Sequence, residues 1–412
     1  MSAQEEAVRS ASNRTPADGS AYGRPPQHEN KLLTEVGPGT PCGELLRRYW
    51  HPVAVSSELT SERPTLLRVL GEDLVLFRDR AGRAGLLYLR CMHRGTSLYY
   101  GKVEERGIRC CYHGWLFDAE GHCLEQPCEP EGGLRRANVR QPWYPIEERY
   151  GLVFAYLGPL AKKPVLPRYD ILENLEPGGS YEVKIGSFGA TSDYSMRVVP
   201  YSWRNMSDNF MDPFHVFVLH STFTGAQFAP EFARMPKIAF ALTEEGFTHS
   251  SVRKLDDGRI YERLINCIFP NIISVPPVEG LPVGPANGVS WVVPVDDTHH
   301  FQVFVGKMGE KPEYAPRKNN NTQRYWADMT EQERRDFPND FEAQMGQGAL
   351  SLHSEEHLAT SDQGVVMQRR LLTRQIKVVE EGSDPINVCF DPEKAVVKVR
   401  AGNLFRTEQA AE

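Results

Sequence analysis

The 412-residue sequence carries no strong excess of one charge and no long apolar run. With 47 basic against 54 acidic residues, it offers no basic stripe that could neutralise a phosphate backbone, so nucleic acid is not an expected partner. No segment approaches the roughly 18 apolar residues of a membrane span, and the N-terminus lacks the apolar region of a signal peptide. We therefore expect a cytoplasmic protein with no membrane partner.

Two redox motifs are also missing. No Gly-x-Gly-x-x-Gly follows a strand-like run, which argues against a dinucleotide-binding domain. No four-cysteine ferredoxin pattern occurs either. Eight cysteines are scattered along the chain, and in a reducing compartment a local group of Cys and His indicates a metal site more strongly than a disulfide framework.

Composition divides the chain into three parts. Residues 1–30 are rich in Ser, Ala, Gly, Pro and Glu, and we expect a flexible tail. Residues 31–165 contain short apolar runs separated by turn residues, which predicts a small β-domain, and a proline-rich stretch at 159–167 marks its end. Residues 166–412 mix strand-like runs with helical candidates around 201–219 and 342–372, so the second domain is predicted to be α+β.

Two mixed Cys/His pairs lie in the first domain. Cys91-x-His93 and Cys110-x-x-His113 are separated by 16 residues, and each pair sits at a turn between strands. In a structural zinc site, cysteine is more often paired with cysteine and histidine with histidine. Two thiolates on one iron and two imidazoles on the other form a Rieske [2Fe-2S] centre, which we favour over a zinc knuckle or four unrelated buried side chains.

A second group of candidate ligands lies in "SDNFMDPFHVFVLHSTFTG". On a helix, Asp212, His215 and His220 fall on one side, although Pro213 indicates a helix start or break there. Two histidines and one carboxylate with open positions suit non-haem Fe(II) that activates O2. The two histidines are equally consistent with satisfied core residues.

The third ligand of such a site is expected far downstream. Asp362 in "EHLATSDQGVV" is our choice, with Glu355 and Glu356 as competitors. On a helix, Glu355 and Asp362 would share a face two turns apart.

With these motifs together, the chain resembles the oxygenase (α) component of Rieske non-haem iron ring-hydroxylating oxygenases, in particular the phthalate-dioxygenase-like group. The resemblance runs from "LLTEVGPGTPCGELLRRYWHPVAVSSEL" through "CMHRG" and "CCYHGWLFD" to "DNFMDPFHVFVLH" and "EHLATSDQGVV". It implies an α+β protein: a small all-β Rieske domain, then a catalytic domain with an antiparallel sheet flanked by helices, of the helix-grip type.

The resemblance also implies residue roles. It places the cluster ligands at Cys91, His93, Cys110 and His113, and the ligands of the mononuclear iron at His215, His220 and Asp362. Asp212 becomes a bridge between a ligand histidine and a cluster histidine of the neighbouring subunit in a head-to-tail homotrimer. Asn209 matches a position close to the iron.

The implied activity is oxygenation of an aromatic acid by O2. The favoured subtype is oxidative O-demethylation of a methoxylated lignin-derived acid, and the alternatives are cis-dihydroxylation of a phthalate-like ring or a Rieske electron carrier without oxygenase chemistry. Electrons would come from NAD(P)H through a separate flavin/iron-sulfur reductase, alone or with a ferredoxin. Its docking could use Arg94, Lys102, Arg106 and Arg109.

The substrate pocket is expected between the triad segment and "NCIFPNIISVPP", which is equally consistent with a core strand. An aromatic carboxylate needs a cation, and Arg204, Arg253 and Arg263 are unranked candidates.

Overall fold

The computed structural model describes residues 21, 24–134, 136–191, 193–278, 281–308 and 316–406. Most of the predicted tail lies outside the described residues. In its last part, the backbone amides of His28 and Asn30 donate to Ser354 Oγ and His353 Nδ1. These few residues therefore lie against a segment more than three hundred residues away in sequence.

Among the described residues up to 165, the chain forms two short α-helices and three small antiparallel sheets. The helices are α1 (Lys31–Thr34) and α2 (Pro41–Leu46). The strands are β1 (Trp50–Val55), β2 (Thr65–Val69), β3 (Glu72–Arg78), β4 (Ala84–Tyr88), β5 (Lys102–Glu104), β6 (Gly107–Arg109), β7 (Leu116–Phe117), β8 (Cys123–Glu125), β9 (Trp143–Tyr144), β10 (Ile146–Arg149) and β11 (Leu152–Tyr156). Their orders are β1-β11-β10, β2-β3-β4-β9 and β5-β6-β7-β8.

The second part is built around one large antiparallel sheet. Its strands and two further short ones are β12 (Arg168–Tyr169), β13 (Tyr181–Gly186), β14 (Lys237–Leu242), β15 (Gly246–Lys254), β16 (Ile260–Ile268), β17 (Ile272–Ser274), β18 (Gly284–Pro285), β19 (Gly288–Asp296), β20 (His299–Lys307), β21 (Val396–Val397) and β22 (Gly402–Arg406). The main order is β13-β20-β19-β17-β16-β15-β14, with β22 on β16 and β18 on β22, while β12 and β21 pair separately.

Helices flank this sheet, which confirms the predicted fold class. They are α3 (Trp203–Phe210), α4 (His215–Phe217), α5 (Glu331–Asp336), α6 (Asp340–Met345) and α7 (Gln363–Glu380). None of the helices in the described ranges combines the length and the apolar character needed to cross a membrane.

Burial patterns explain the strand positions. Residues 288–295 of β19 are all buried, as expected for a strand inside the sheet with packing on both faces. Pro294 lies in this strand next to an irregularity in the pairing with β20, where a missing amide donor is tolerated.

Two large hydrophobic cores lie in the described residues. The smaller of them, beneath the Cys/His loops, contains Val75, Phe77, Leu98 and Phe117. The larger core extends from the N-terminal helices through β1 and β11 into the large sheet, and Phe154 packs edge-to-face on Trp291. Because this core crosses residue 165, the division into domains at that residue stays a prediction.

Both predicted long helices are interrupted. In the 201–219 region, α3 ends at Phe210, just before Pro213, and α4 starts again at His215. In the 342–372 region, α6 ends at Met345, where Gly346 and Gly348 follow, and α7 begins only at Gln363. The face shared by Glu355 and Asp362 on one helix is therefore a wrong prediction.

Candidate metal centres

The two Cys/His loops have matching backbone hydrogen bonds. Cys91 N donates to Thr96 O at 2.9 Å, and its carbonyl accepts from Gly95 N at 2.8 Å. Cys110 repeats both bonds, with Trp115 O at 2.8 Å and Gly114 N at 3.1 Å. Both glycines have positive φ, 77° and 73°, which closes each turn without a Cβ penalty.

These turns bring the four side chains together. The imidazole centroids of His93 and His113 are 4.5 Å apart, and His93 stacks on Trp115 at 4.4 Å. The thiols of Cys91 and Cys110 interact directly, and backbone amides of His93 and Arg94 point at Cys91 Sγ. Both cysteines are buried, whereas both histidines are partly exposed.

The second group lies after the break at Pro213. α4 continues into a π-helical turn at residues 218–222, in which Phe223 N donates to Val218 O at 2.9 Å. Hydrogen bonds between residues five apart align His215 and His220, which are also five apart, more closely than a regular α-helix does. Their ring centroids are 5.2 Å apart.

The carboxylate beside these histidines is Asp340. Its Oδ2 is 3.1 Å from His220 Nε2, its Oδ1 is 3.8 Å from His215 Nε2, and one ligating atom from each residue lies within 4.8 Å of the others. Asp340 is the first residue of α6, where Asn339 and Glu342 form a capping box. The cap fixes the start of α6 and so the position of the carboxylate.

Asp362 does not join this group, and its prediction as the third ligand is corrected to Asp340. Asp362 ends a 3-10 turn at residues 360–362, and its Oδ2 accepts from Ala359 N at 2.7 Å. The competitors are also engaged elsewhere: Glu356 pairs with Arg369 and Glu355 contacts Arg24.

Asn209 and Asp212 both contact this centre. Asn209 Nδ2 donates to Asp340 Oδ1 at 3.1 Å. The Asp212 carbonyl faces His215 Nδ1, while its Oδ1 accepts from Phe214 N at 3.0 Å. The structure thus brings both predicted residues to the site, Asn209 through the carboxylate and Asp212 through the imidazole.

Gln227 is a further partner that the sequence did not indicate. Its Oε1 lies 2.9 Å from His220 Nδ1, and its amide nitrogen is 3.4 Å from Pro338 O, two residues before Asp340. An oxygen acceptor at Nδ1 selects the tautomer whose Nε2 carries a free lone pair. Gln227 therefore orients His220 and links it to the segment that carries the carboxylate.

Comparisons with known proteins agree with both centres. Residues 49–145 match the Rieske [2Fe-2S] domain model. The chain is 54% identical over 395 residues to phenoxybenzoate dioxygenase subunit alpha of Ectopseudomonas oleovorans, which covers 96% of both chains. It belongs to the Rieske non-haem iron oxygenases, as an oxygenase (α) component.

Two other similarities extend this result. The 5,5'-dehydrodivanillate O-demethylase oxygenase subunit of Sphingobium sp. (strain NBRC 103272 / SYK-6) is 32% identical, with 88% of this chain and 83% of the relative covered. Among solved structures, the caffeine-bound NdmA QL mutant of Pseudomonas putida CBB5 gives a TM-score of 0.60 at 19% identity, covering 89% and 99% of the two chains. At that identity the structural match supports the fold alone.

The residues present fit both cofactors of a Rieske oxygenase. Two buried thiols beside two imidazoles match the donor set of a Rieske [2Fe-2S] cluster. Two imidazoles and one carboxylate supply the 2-His-1-carboxylate donor set that would hold mononuclear Fe(II). The remaining ring nitrogens, His215 Nδ1 and His220 Nδ1, face oxygen atoms, as expected for metal-binding histidines.

His215, His220 and Asp340, here called the iron-binding group, shift one another's pKa values. Burial raises the pKa of Asp340, but His220, His215 and Asn209 together outweigh burial, and the net pKa lies below its usual range. Burial lowers the pKa of His220, yet Asp340 and Gln227 together outweigh burial and the net pKa is raised. The pKa of His215 is lowered, chiefly by burial. The group thus holds an ionised carboxylate, the form that binds a cation.

The three candidate arginines differ in surroundings. Arg204 is buried and pairs with Asp208, so its charge is compensated within the fold. Arg253 on β15 and Arg263 on β16 are both buried, and both guanidinium groups lie over the ring of Phe232.

The run "NCIFPNIISVPP" lines a narrow space rather than a wide pocket. Residues 267–273 enclose, with Ser207 and Phe210 of α3, a cavity of about 20 Å³, which is enough for one water molecule. This part of the run therefore belongs to the core between α3 and the sheet. A larger cavity, about 590 Å³, lies beside Gln227 and Phe228.

Proposed function

We propose that this α component oxygenates a carboxylated aromatic compound, with ring dioxygenation as its reaction. The observation that carries the proposal is the 54% identity, over nearly the full length of both chains, to an α subunit named phenoxybenzoate dioxygenase. The phthalate 4,5-dioxygenase oxygenase subunit of Pseudomonas putida, 28% identical, is a second relative named for an aromatic acid.

The site supports oxygen chemistry in a protected environment. Fe(II) held by His215, His220 and Asp340 would keep coordination positions open for O2. His220 and Asp340 are largely buried, and Asn209 holds one carboxylate oxygen. Phe228, 4.9 Å from the His220 ring, gives an apolar wall that favours an aromatic substrate over water.

The expected stoichiometry of ring dioxygenation is simple. Both atoms of one O2 are added to adjacent ring carbons, with two electrons from the reductase and two protons from solvent. O-demethylation uses the same O2, electrons and protons but yields a phenol, formaldehyde and water. The relative named as an O-demethylase, at 32% identity, keeps O-demethylation as the second candidate.

Electron delivery would require other chains. The partly exposed His93 and His113 form the accessible edge of the cluster site, next to the exposed side chains of Met92 and Tyr112. This edge suits contact with a neighbouring subunit in a homotrimer, where Asp212 would connect the cluster to the iron-binding group. An NAD(P)H-oxidising flavin/iron-sulfur reductase, alone or with a ferredoxin, would supply the electrons in the cytoplasm.

The predicted docking cations are not equivalent. Arg109 donates to both Glu104 and Glu125, and Arg106 also pairs with Glu125, so these two arginines are engaged within the Rieske region. Arg94 lies over Tyr112, beside the cluster histidines. Arg94 and Lys102 remain the stronger candidates for contact with an acidic reductase or ferredoxin.

The test is reconstitution with a reductase and a panel of aromatic acids that includes phenoxybenzoates, phthalate and methoxylated benzoates. Substrate-dependent O2 uptake is measured together with formaldehyde and ring products. A diol supports the proposal, as does a catechol plus a phenol when the attacked carbon carries an ether oxygen. Formaldehyde supports the second candidate. Absence of turnover with every acid would refute the aromatic-acid assignment.

A further inference from the structure

One face of the large sheet lies against the segment that carries the iron ligands. Every second residue of β15 points to the same face of the sheet, and on this face these are His249, Ser251 and Arg253. Their partners on the neighbouring strand β16 are Ile265, Arg263 and Tyr261, respectively. His249 Nε2 is 3.1 Å from Phe210 O, and Arg253 lies over Phe232. The contacts of His249 with Phe210 and of Arg253 with Phe232 thus show that this face of the sheet is the one turned toward residues 210–232.

Two side-chain nitrogen atoms on this face are buried and have no hydrogen-bond partner among the described residues. Arg253 is only 2% exposed, yet its Nη1 has no hydrogen-bond partner among the described residues. Its Nε donates to a neutral acceptor, Arg234 O at 3.2 Å. His249 Nδ1, on the same face, is also buried and without a hydrogen-bond partner in the described chain.

A buried guanidinium in this state is costly. Burial lowers the pKa of Arg253 to about 10, because the charged form is desolvated, and no Asp or Glu of the described residues offsets this effect. A buried cation is normally compensated by an anion with good hydrogen-bond geometry. The other two candidate arginines differ: Arg204 has Asp208, and Arg263 donates to Pro277 O and Asn403 Oδ1.

The two guanidinium groups share an aromatic surface with the iron-binding group. They lie 4.9 and 5.9 Å from the centroid of Phe232, Phe232 is 6.4 Å from Phe228, and Phe228 is 4.9 Å from His220. His249 lies within electrostatic reach of both Arg263 and His215. A row of aromatic rings thus connects the cations to the metal ligands.

We propose that Arg253, assisted by Arg263, binds the carboxylate of the aromatic substrate, while the rings of Phe232 and Phe228 contact its apolar part between this subsite and the iron. The proposal rests on the proposed function, since it assumes an aromatic acid as substrate. It ranks the three candidate arginines: Arg253 binds the carboxylate, Arg263 supports it, and Arg204 serves the fold. Arg253 acts on affinity and orientation and takes no part in oxygen chemistry.

The test compares charged and neutral ligands of one shape. Arg253→Gln should weaken binding of 3-phenoxybenzoate about 10- to 100-fold, the effect of losing a charge-assisted hydrogen bond, and should leave binding of 3-phenoxybenzamide nearly unchanged. Binding is measured by calorimetry on the purified α component, and KM and kcat are measured with the reductase. In turnover, the Arg253→Gln variant should show its defect as a higher KM for the acid.

Two further variants separate recognition from folding. Arg253→Lys keeps the charge and should recover part of the affinity for the acid. Arg234→Gln changes a more exposed arginine that pairs with Asp256 on the neighbouring turn, and it should bind both ligands like the parent protein. Cluster absorbance and Tm confirm that each variant is folded.

If Arg253→Gln lost the same binding affinity for the acid as for the amide, the carboxylate subsite would be overturned. An unchanged KM of this variant for an acid that the parent protein oxygenates would overturn it as well. Failure of the parent protein to oxygenate any aromatic acid would instead remove the proposed function, and the subsite with it. Turnover of aromatic acids by the parent protein alone therefore shows which of the two proposals has failed.

Discussion

The carboxylate of Asp340 lies 3.1 Å from His220 Nε2, and the two residues come from segments more than one hundred positions apart. His220 is oriented from its other side by Gln227, and Asp340 is held by Asn209. The metal-binding group is thus assembled by tertiary packing around a π-helical turn and a capped helix start.

Gln227→Leu should loosen metal binding without removing a ligand. The variant loses the acceptor that selects the His220 tautomer, and losses of this kind typically weaken metal affinity 10- to 100-fold. Competition with a chelator, followed by iron analysis, measures the effect. Gln227→Glu retains an oxygen acceptor and serves as the matched control, and equal iron retention in all three proteins would contradict the positioning role.

The paired loop glycines provide a second prediction. In Gly95→Ala the new Cβ meets nothing within 4 Å, so only the positive φ costs stability, about 1–2 kcal/mol. In Gly114→Ala the Cβ would also lie 2.7 Å from Pro127 Cγ. Gly114→Ala should therefore lose more cluster absorbance and lower Tm further, and the reverse order would contradict the described loop geometry.

His51 should make the fold sensitive to acid. Burial lowers its pKa from 6.5 to about 4, against a smaller opposite effect of its contact with Leu46 O. The unfolded chain therefore binds the proton first, and stability present above pH 6.5 is lost as the pH falls toward 4, by about 3 kcal/mol. His51→Gln should show a shallower fall of Tm over this window; an identical profile would refute this origin.

Asp212→Ala tests the proposed connection between subunits. The variant keeps the backbone carbonyl that faces His215 Nδ1, so both metal centres should still fill. Substrate-dependent O2 uptake should fall at least tenfold while reductase-dependent reduction of the cluster continues, because the role proposed for the side chain is to connect the two centres. Light scattering should give a trimer for the parent protein. Full activity of the variant, or a monomeric active parent, would contradict this arrangement.

The sequence predicted local features better than distant contacts. The two Cys/His loops are set by short spacings and by Gly95 and Gly114, and the strands follow from alternation and turn residues. Asp340 was not predicted as a ligand because it reaches His220 only when α6 packs beside that histidine. No local sequence pattern indicates this packing. The signal that existed was the capping sequence "PNDFE", in which Asn339 and Glu342 mark a helix start with a carboxylate at its first position.

The interruption of the second predicted helix removes the argument that compared Glu355 with Asp362. A continuous helix through residues 342–372 would have placed Glu355 and Asp362 on one face, but Gly346 and Gly348 end α6 early. Likewise, the π-helical turn after α4 could not be inferred from the spacing of His215 and His220 alone. Arg253 was recognised as a candidate, but only the lack of an acidic partner among the described residues distinguishes it from Arg204, which pairs with Asp208.

The most direct measurement is iron and sulfide analysis of anaerobically reconstituted Asp340→Asn and Asp362→Asn, beside the parent protein. The parent should hold about three iron atoms per chain, two in the cluster and one at the second centre. Asp340→Asn should fall to about two with unchanged sulfide and cluster absorbance, while Asp362→Asn should keep all three. Loss of the third iron from Asp362→Asn, with Asp340→Asn fully loaded, would contradict the site described here.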